Sequence, residues 1–303
     1  MAKKATLKIE AHTIQLTNTD KVLFPDDGIT KGDLIDYYHR IAETMLPYMK
    51  GRPLMMHRFL HGIKGEGFYQ KEVGDYSPEW VKRVKMKKHG GCEDYAVCDN
   101  PATLVFLAEQ DCITPHVWLS RIDQPENPDL LVFDLDPSGN DFEPVRRAAS
   151  SLRDLLSQLR LAVFVKTTGS RGLHVVVPLD RAADFDQVRT FAEDVARLLV
   201  SRDPEHLTIE QRKAKRRGCV YIDTLRNSYG QTVVAPYAVR AKAGAPVATP
   251  LDWEELKDPE LNSQSYTLTN IFRRLVNKGD PWDKLWHEPC SLNEPRGRLN
   301  ALV

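Results

Sequence analysis

Leu130-Leu131-Val132-Phe133-Asp134-Leu135-Asp136 is an apolar run closed by two acids, and Pro137-Ser138-Gly139 stops it at once. Read as a β-strand, it carries Asp134 and Asp136 on one face, because side chains two apart share a face. Two unit charges about 4 Å apart repel by roughly 4 kcal/mol at an effective dielectric of about 20. A pair of carboxylates at the end of a buried strand therefore implies a cation, and this pair reads as a divalent-metal site. A D-x-D alone is weak. The chain has a second at Asp184-Phe185-Asp186; that one opens a helix, where carboxylates cap free N–H groups, and it reads as structural. The first pair is set apart by a third acid at a comparable strand end, Asp223 after Cys219-Val220-Tyr221-Ile222. Three carboxylates from two strands suit two divalent ions that clamp the attacking and leaving oxygens of phosphoryl transfer.

Downstream lies Lys166-Thr167-Thr168-Gly169-Ser170-Arg171-Gly172-Leu173-His174, set between two apolar strands. Its two glycines let the backbone turn with N–H groups converging, a nest for anionic oxygens. Thr168 and Ser170 add hydroxyls, and Arg171 and His174 add further donors. That inventory suits a triphosphate.

The whole chain, at 303 residues with 42% hydrophobic and 28% charged residues, has the composition of a globular protein with ample core. No apolar run nears about 18 residues and no signal peptide is seen, so neither a membrane span nor secretion is expected. The five cysteines, Cys92, Cys98, Cys112, Cys219 and Cys290, are odd in number and scattered, as free thiols of a reducing cytosol would be. His89-Gly90-Gly91-Cys92 with Cys98 and Cys112 lacks paired C-x-x-C spacing and is not read as a zinc site. Lys plus Arg equal Asp plus Glu at 42 each, so a nucleic acid would be held by local patches. Two patches exist. Lys82-Arg83-Val84-Lys85-Met86-Lys87-Lys88 alternates base and apolar residue, a strand with one cationic face, and Arg212-Lys213-Ala214-Lys215-Arg216-Arg217 packs five bases into six residues.

Helical spacing of Leu34, Ile35, Tyr38, Ile41 and Met45 predicts a helix over 31–49, started near Thr30. Strands follow near 53–59, 67–73, 80–88 and 94–98, with Gly90-Gly91 turning a hairpin. Asn100-Pro101 starts a helix to about Glu109. Strands at 116–122 and 130–135 precede a helix at 142–160, strands at 162–167 and 172–178, and a helix at 185–200. Strands near 219–224 and 233–240 and a helix at 267–278 complete the pattern. The mixture predicts an α+β fold with central mixed or antiparallel sheets flanked by helices. One domain over 1–303 is expected, with a possible lobe at 1–125 packed on a core at 126–303.

Asp-Leu-Asp-Pro at 134–137, Thr-Gly-Ser-Arg-Gly-Leu-His at 168–174, and Tyr-Ile-Asp at 221–223 running on to Ala-Pro-Tyr-Ala-Val-Arg at 235–240 resemble the polymerase domain of bacterial LigD. That family belongs to the archaeo-eukaryotic primase superfamily and acts in non-homologous end joining. The resemblance extends from Leu16 to about Leu285 and includes Asp20-Lys21-Val22-Leu23-Phe24-Pro25 and Thr30-Lys31. It implies a primase-polymerase-like fold and a ribonucleotide-preferring, DNA-dependent nucleotidyltransferase that fills short gaps and extends ends. It implies that Asp134, Asp136 and Asp223 hold two divalent cations, manganese preferred over magnesium, and that NTPs or dNTPs are substrates. Thr168, Arg171, His174 and Arg240 would contact the triphosphate, His116 the sugar, and Phe68 a base. Lys21 and Lys31 match lysines that grip the 5′-phosphate of a gap or break. His57 and Arg58 would lie near the template, with Arg216 and Arg226 as further DNA contacts. Relatives often have Ser where Thr168 stands and can have Gln where Arg226 stands. DNA with a 5′-phosphorylated gap or broken end, Ku and a DNA ligase are the partners implied, in the cytoplasm at the bacterial nucleoid. Other readings stay open at this point: a stand-alone primase-like enzyme, a non-catalytic end-binding module, and a metal-dependent glycosyltransferase.

Overall fold

Thr30 starts the first helix as its sequence expects. Its hydroxyl accepts from the Asp33 amide at 3.2 Å, while the Asp33 carboxylate accepts from the Thr30 amide at 2.8 Å, a reciprocal cap. The computed structural model describes residues 5–74, 76–88 and 90–302. Its described helices are α1 (Lys31–Met45), α2 (Pro101–Glu109), α3 (Glu143–Gln158), α4 (Phe185–Arg202), α5 (Ile271–Lys278) and α6 (Asn293–Asn300). The fold is α+β, with several antiparallel sheets. Two compact units are formed: one from the residues up to Trp118 with Thr232–Ala248 and Tyr266–Arg273, the other from Leu119–Gln231, Thr249–Ser265 and Arg274 onward.

In the first unit, a four-stranded antiparallel sheet runs in the order Thr232–Val234, Cys112–Trp118, Leu54–Arg58, Phe68–Gln70. Leu34, Ile35, Tyr38, Ile41 and Met45 are all buried, so the helical stripe of α1 faces the core, and α1 packs against α2. Buried Tyr38 keeps its hydroxyl satisfied, donating to Ile113 O at 2.6 Å and accepting from the Val239 amide at 3.1 Å. The basic run at 82–88 forms the expected hairpin, Arg83–Lys88 on Gly91–Ala96, turned at Gly90 with φ of 86°. Arg83, Lys85 and Lys87 are exposed, while Met86 packs with Tyr95 and Trp118.

In the second unit, a six-stranded sheet runs in the order Leu207–Thr208, Val220–Asp223, Leu130–Asp136, Leu173–Pro178, Phe164–Thr167, Pro250–Leu251. Only its first pair is parallel. α3 and α4 pack on the Leu130–Asp136 strand. Asp184 caps α4 by accepting from the Gln187 amide at 2.8 Å, which is why that second acidic pair is structural.

Several boundaries differ from expectation, each for a local reason. The strand expected at 233–240 ends at Val234, because Pro236 offers no N–H and Tyr237 turns left-handed at φ of 64°. The strand expected from 116 begins at Cys112 and runs through Pro115. The carbonyl of Pro115 accepts from the Ala235 amide at 3.2 Å, so its missing N–H faces the side where the Thr232–Val234 strand has already ended. The hairpin Ala5–Ile9 with His12–Leu16, the short pair Val22–Phe24 with Ile29–Thr30, and α6 were not expected. α6 holds Pro295 and Gly297, residues that argue against a helix, and Pro295 is tolerated because it sits in the first turn.

Gly172 sets the closest approach in the second unit: a Cβ there would lie 2.0 Å from the Leu135 carbonyl oxygen. Gly172→Ala should therefore destabilise the protein by about 1–3 kcal/mol, since the strand carrying both acids must shift. Urea unfolding with an unchanged midpoint would show that the turn does not press on that strand.

Candidate active site

The second unit's sheet lines up its polar residues in one cross-strand row. Asp223 is directly opposite Asp134, Asp134 is opposite His174, and His174 is opposite Lys166. Directly opposed residues share a face, with Cβ atoms about 4.5–5.5 Å apart, so four strands present Asp223, Asp134, His174 and Lys166 side by side. Asp136, two residues on from Asp134, joins the same face and is opposite Tyr221. The strand ends are tied together by Ser138, whose hydroxyl donates to Cys219 O at 2.5 Å. Lys166 is 1% exposed, and its sequence motif alone assigns it no role. The signal available was a lone charge inside an otherwise buried strand.

This row fixes the electrostatics. Burial alone would raise Asp134, but His174, Arg226 and Lys166 outweigh it and hold its carboxyl below the usual range. Burial and the Asp134 charge push Asp136 up to about 6. Burial, with Asp134 adding to it, raises Asp223 as well. Burial and the Lys166 charge lower His174 to about 4, so the imidazole is neutral near pH 7. Its Nε2 lies 3.5 Å from Asp134 Oδ1, a contact between a neutral ring and a carboxylate.

An oxygen-only donor set of this kind suits a hard divalent cation. One observation fits such an ion: apart from the 3.5 Å approach of His174 Nε2, Asp134 Oδ1 is buried with no hydrogen-bond partner. Asp223 Oδ1 instead accepts from the Leu225 amide at 2.8 Å. Among the described residues no three His, Cys, Asp or Glu side chains are already gathered as a cage. The backbone register does place the three carboxylates on one face of the sheet. His89 lies outside the described residues; Cys98 and Cys112 are buried, with burial pushing the Cys112 thiol up to about 12, and Cys92 is exposed.

Around the row, the 168–172 turn is braced from within. Thr168 Oγ1 accepts from the Ser170 and Gly172 amides, each at 3.2 Å, and lies 3.2 Å from Ser263 Oγ. The hydroxyl that sequence assigns to a phosphate thus shapes the turn, and Ser263, which sequence missed, completes the bracing. Exposed Arg171 is close enough to Asp136 for its charge to act there. Arg226 Nε lies 3.9 Å from Asp134 Oδ2. Arg216 is buried: it donates to Glu210 O at 3.1 Å and Gln211 O at 3.0 Å, and its guanidinium lies 3.9 Å over the Tyr221 ring.

The first unit holds the other residues singled out by sequence. Lys21 and Lys31 are neighbours, since the Lys31 amide donates to Lys21 O at 2.8 Å. Each already has a carboxylate, Lys21 Nζ on Asp111 at 2.5 Å and Lys31 Nζ on Glu109 at 3.1 Å. Lys21 is partly exposed, whereas Lys31 and Glu109 are both buried. On one face of the four-stranded sheet, His57 stacks on Tyr69 at 4.1 Å and 14°, and the Tyr69 ring meets His116 at 5.8 Å. On the other, Arg58 donates to Gln70 Oε1 at 2.6 Å, to the Tyr76 hydroxyl at 2.9 Å and to Gln110 O at 2.7 Å, with the Phe68 ring 5.6 Å away. Phe68 is 39% exposed and Tyr69 55%, so the aromatic that sequence chose is matched by a second on the opposite face. Arg240 is near enough to His57 to depress it electrostatically.

Residues 30–282 match the model of the LigD primase-polymerase domain. The chain belongs to the LigD primase-polymerase domain family. It is therefore a nucleotidyltransferase of the polymerase type. The multifunctional non-homologous end joining protein LigD of Mycobacterium bovis is 34% identical over 281 residues, which cover 90% of this chain and 37% of that protein. The bifunctional non-homologous end joining protein LigD of Bacillus subtilis is 31% identical over 279 residues, covering 91% of this chain and 44% of the relative. The chain thus spans less than half the length of these curated relatives. Among solved structures, the polymerase domain of Mycobacterium tuberculosis ligase D in complex with DNA superposes with a TM-score of 0.86 at 32% identity, over 91% of this chain and 99% of that one.

Burial and the Arg240 charge lower His57 to about 4, from an ordinary value near 6.5. Between those values the unfolded chain binds more protons, so the acid cost sets in below about pH 6.5 and is complete near pH 4. His57→Asn should flatten that part of the stability profile by about 1–2 kcal/mol, allowing for solvent screening of a half-buried ring. Parallel stability profiles for the two proteins between pH 7 and 4 would show that His57 titrates normally.

Proposed function

We propose that the chain is a DNA-dependent, ribonucleotide-preferring polymerase that fills short gaps and extends ends in double-strand break repair by non-homologous end joining. The observation that carries this reading is the row Asp223–Asp134–His174–Lys166 with Asp136 beside it. Membership of the family implies divalent-metal and nucleoside-triphosphate use in general. In this chain Asp134, Asp136 and Asp223 would hold two divalent cations, manganese preferred over magnesium; when bound, these neutralise charge on the attacking and leaving oxygens of nucleotidyl transfer.

The protein's own groups supply the rest. The raised Asp136 and Asp223 carboxyls are poised to give up protons when a positive charge is offered. Arg171 and neutral His174 would bind and orient the triphosphate beside the acids, joined by Arg240. Thr168 serves that contact indirectly, by fixing the turn that aims Arg171. In the first unit, Phe68 would stack on a base, worth about 1–3 kcal/mol and tolerant of sequence. His116 would meet the sugar, and His57 and Arg58 the template. Lys21 would take the 5′-phosphate, with Lys31 buried behind it. Arg226 is a further DNA contact on this reading, while buried Arg216 acts on Asp136 through its charge.

The whole chain would act as one primase-polymerase domain, with Ku and a DNA ligase as partners at the bacterial nucleoid in the cytoplasm. DNA as ligand is supported by the solved relative, which is a complex with DNA. No described helix is long and apolar enough to cross a membrane. The family match leaves the glycosyltransferase reading without support, and the row of acids favours an enzyme over a non-catalytic end-binding module. Primer-independent synthesis on bare single strands is what would favour the stand-alone primase.

Asp134→Ala with Asp136→Ala should reduce manganese-dependent incorporation of labelled ribonucleotide on a short 5′-phosphorylated gap to background, with DNA binding retained. Full extension by that variant removes the acids from catalysis. Lys21→Ala should erase the preference for 5′-phosphorylated over 5′-hydroxyl gaps. Lys21 is the more accessible of the two lysines, being partly exposed where Lys31 is buried, and because its partner Asp111 is buried the variant's folding is checked by circular dichroism alongside. A preference that survives Lys21→Ala places the phosphate anchor elsewhere.

A further inference from the structure

Asn227 is fully buried in the second unit, and its side chain stands in for a missing strand residue. Its Oδ1 accepts from the Val132 amide at 2.8 Å, and its Nδ2 donates to Val132 O at 2.7 Å and to Thr224 O at 2.9 Å. In an antiparallel ladder, residues two apart offer their N–H and C=O to the same neighbouring strand. Two along from Val132 is Asp134, and on that side Asp134 is opposite Asp223. The Val220–Asp223 strand stops there, one pair short of Val132. The planar amide of Asn227, donor and acceptor together, fills the next rung.

This rung closes a turn with two consequences for the acids. The Leu225 amide donates to Asp223 Oδ1 at 2.8 Å, and Arg226 Nε comes within 3.9 Å of Asp134 Oδ2. Both groups sit between Asp223 and Asn227, so the turn is held at one end by the ladder and at the other by the amide. Aspartate at 227 would lack the donor that Val132 O and Thr224 O require, serine would fall short, and glutamine would overreach a fully buried site.

We infer that Asn227 is a positioning residue for the carboxylate set: it fixes the angle at which Asp223 faces Asp134 while touching neither substrate nor cation. The inference rests on the proposal that Asp134, Asp136 and Asp223 hold divalent cations. A purely structural asparagine would lower stability and leave the affinity of that set untouched; a positioning one changes both.

The test is a titration with Mn2+ alone, no nucleotide or DNA, following free Mn2+ by electron paramagnetic resonance. Asn227→Ala, folded by circular dichroism, should bind Mn2+ about 10-fold more weakly than the unsubstituted protein, the low end of the range for groups bonded directly to a metal ligand, since Asn227 acts one step further out. Equal affinity in the folded variant overturns the inference. If the unsubstituted protein itself binds no Mn2+, the metal reading fails first and the inference falls with it, a separate and recognisable outcome. Should Asn227→Ala not fold, the unsubstituted protein decides the matter. Linkage is reciprocal, so Mn2+ must in turn tighten the rung and slow hydrogen exchange at the Val132 and Leu225 amides. Exchange there that is unchanged at saturating Mn2+ overturns the inference too.

Discussion

The antiparallel register that sets Asp223 opposite Asp134 is the constraint on which the second unit depends. Like charges directly opposed across a ladder are destabilising. The sheet offsets them with basic or neutral groups on neighbouring strands: His174 and Lys166 follow in the same row, and Arg226 approaches from the turn. The result is a graded set of acids in which Asp134 stays ionised while Asp136 and Asp223 hold protons more tightly. Such splitting is what close carboxylates do when both cannot ionise freely. Gly172 and Thr168 then bring the 168–172 turn against the same strand end, so phosphate-binding candidates and acids are set by one piece of backbone.

Local chemistry made much of this legible. The apolar run of 130–136 closed by two acids, the cap at Thr30, the Asn100-Pro101 helix start and the Gly90 turn each depend on residues close in sequence, and each forms as its residues dictate. Asp134, Asp136 and Asp223 could be picked out because each closes an apolar strand. Their mutual register could not, since pairing of residues 89 positions apart is decided by tertiary packing. Lys166 went without a role for the same reason: its neighbour His174 is reached across a strand pair. Asn227 lies in a stretch of turn residues, where asparagine is ordinary, and only the carbonyl and amide of Val132 give it meaning. Tyr237 shows the converse, a bulky residue in a left-handed conformation that no propensity suggests, held by hydrogen bonds to Tyr37 and Ala248.

The two lysines proposed as the 5′-phosphate grip are tied together in a chain of zero net charge. The backbone bond between Lys21 and Lys31 places them together, yet the end of α2 gives each its own acid. Lys31 and Glu109 are both buried, so their separation is costly; Lys21 is partly exposed, but its partner Asp111 is buried and would be left uncompensated if Lys21 turned to another anion. Proximity and exposure are thus divided between them: Lys31 is buried, and Lys21 is the one that solvent reaches.

Arg58 has an effect beyond its neighbours. Among the described residues Phe68–Gln70 is one of the two edge strands of the four-stranded sheet, and an unpaired edge is a template on which another copy of the chain can add a strand. This one is three residues long and is latched through Gln70 and Tyr76 to a guanidinium rooted in the next strand. Too short and too firmly clamped to recruit a foreign backbone, it can display two solvent-facing rings without inviting aggregation.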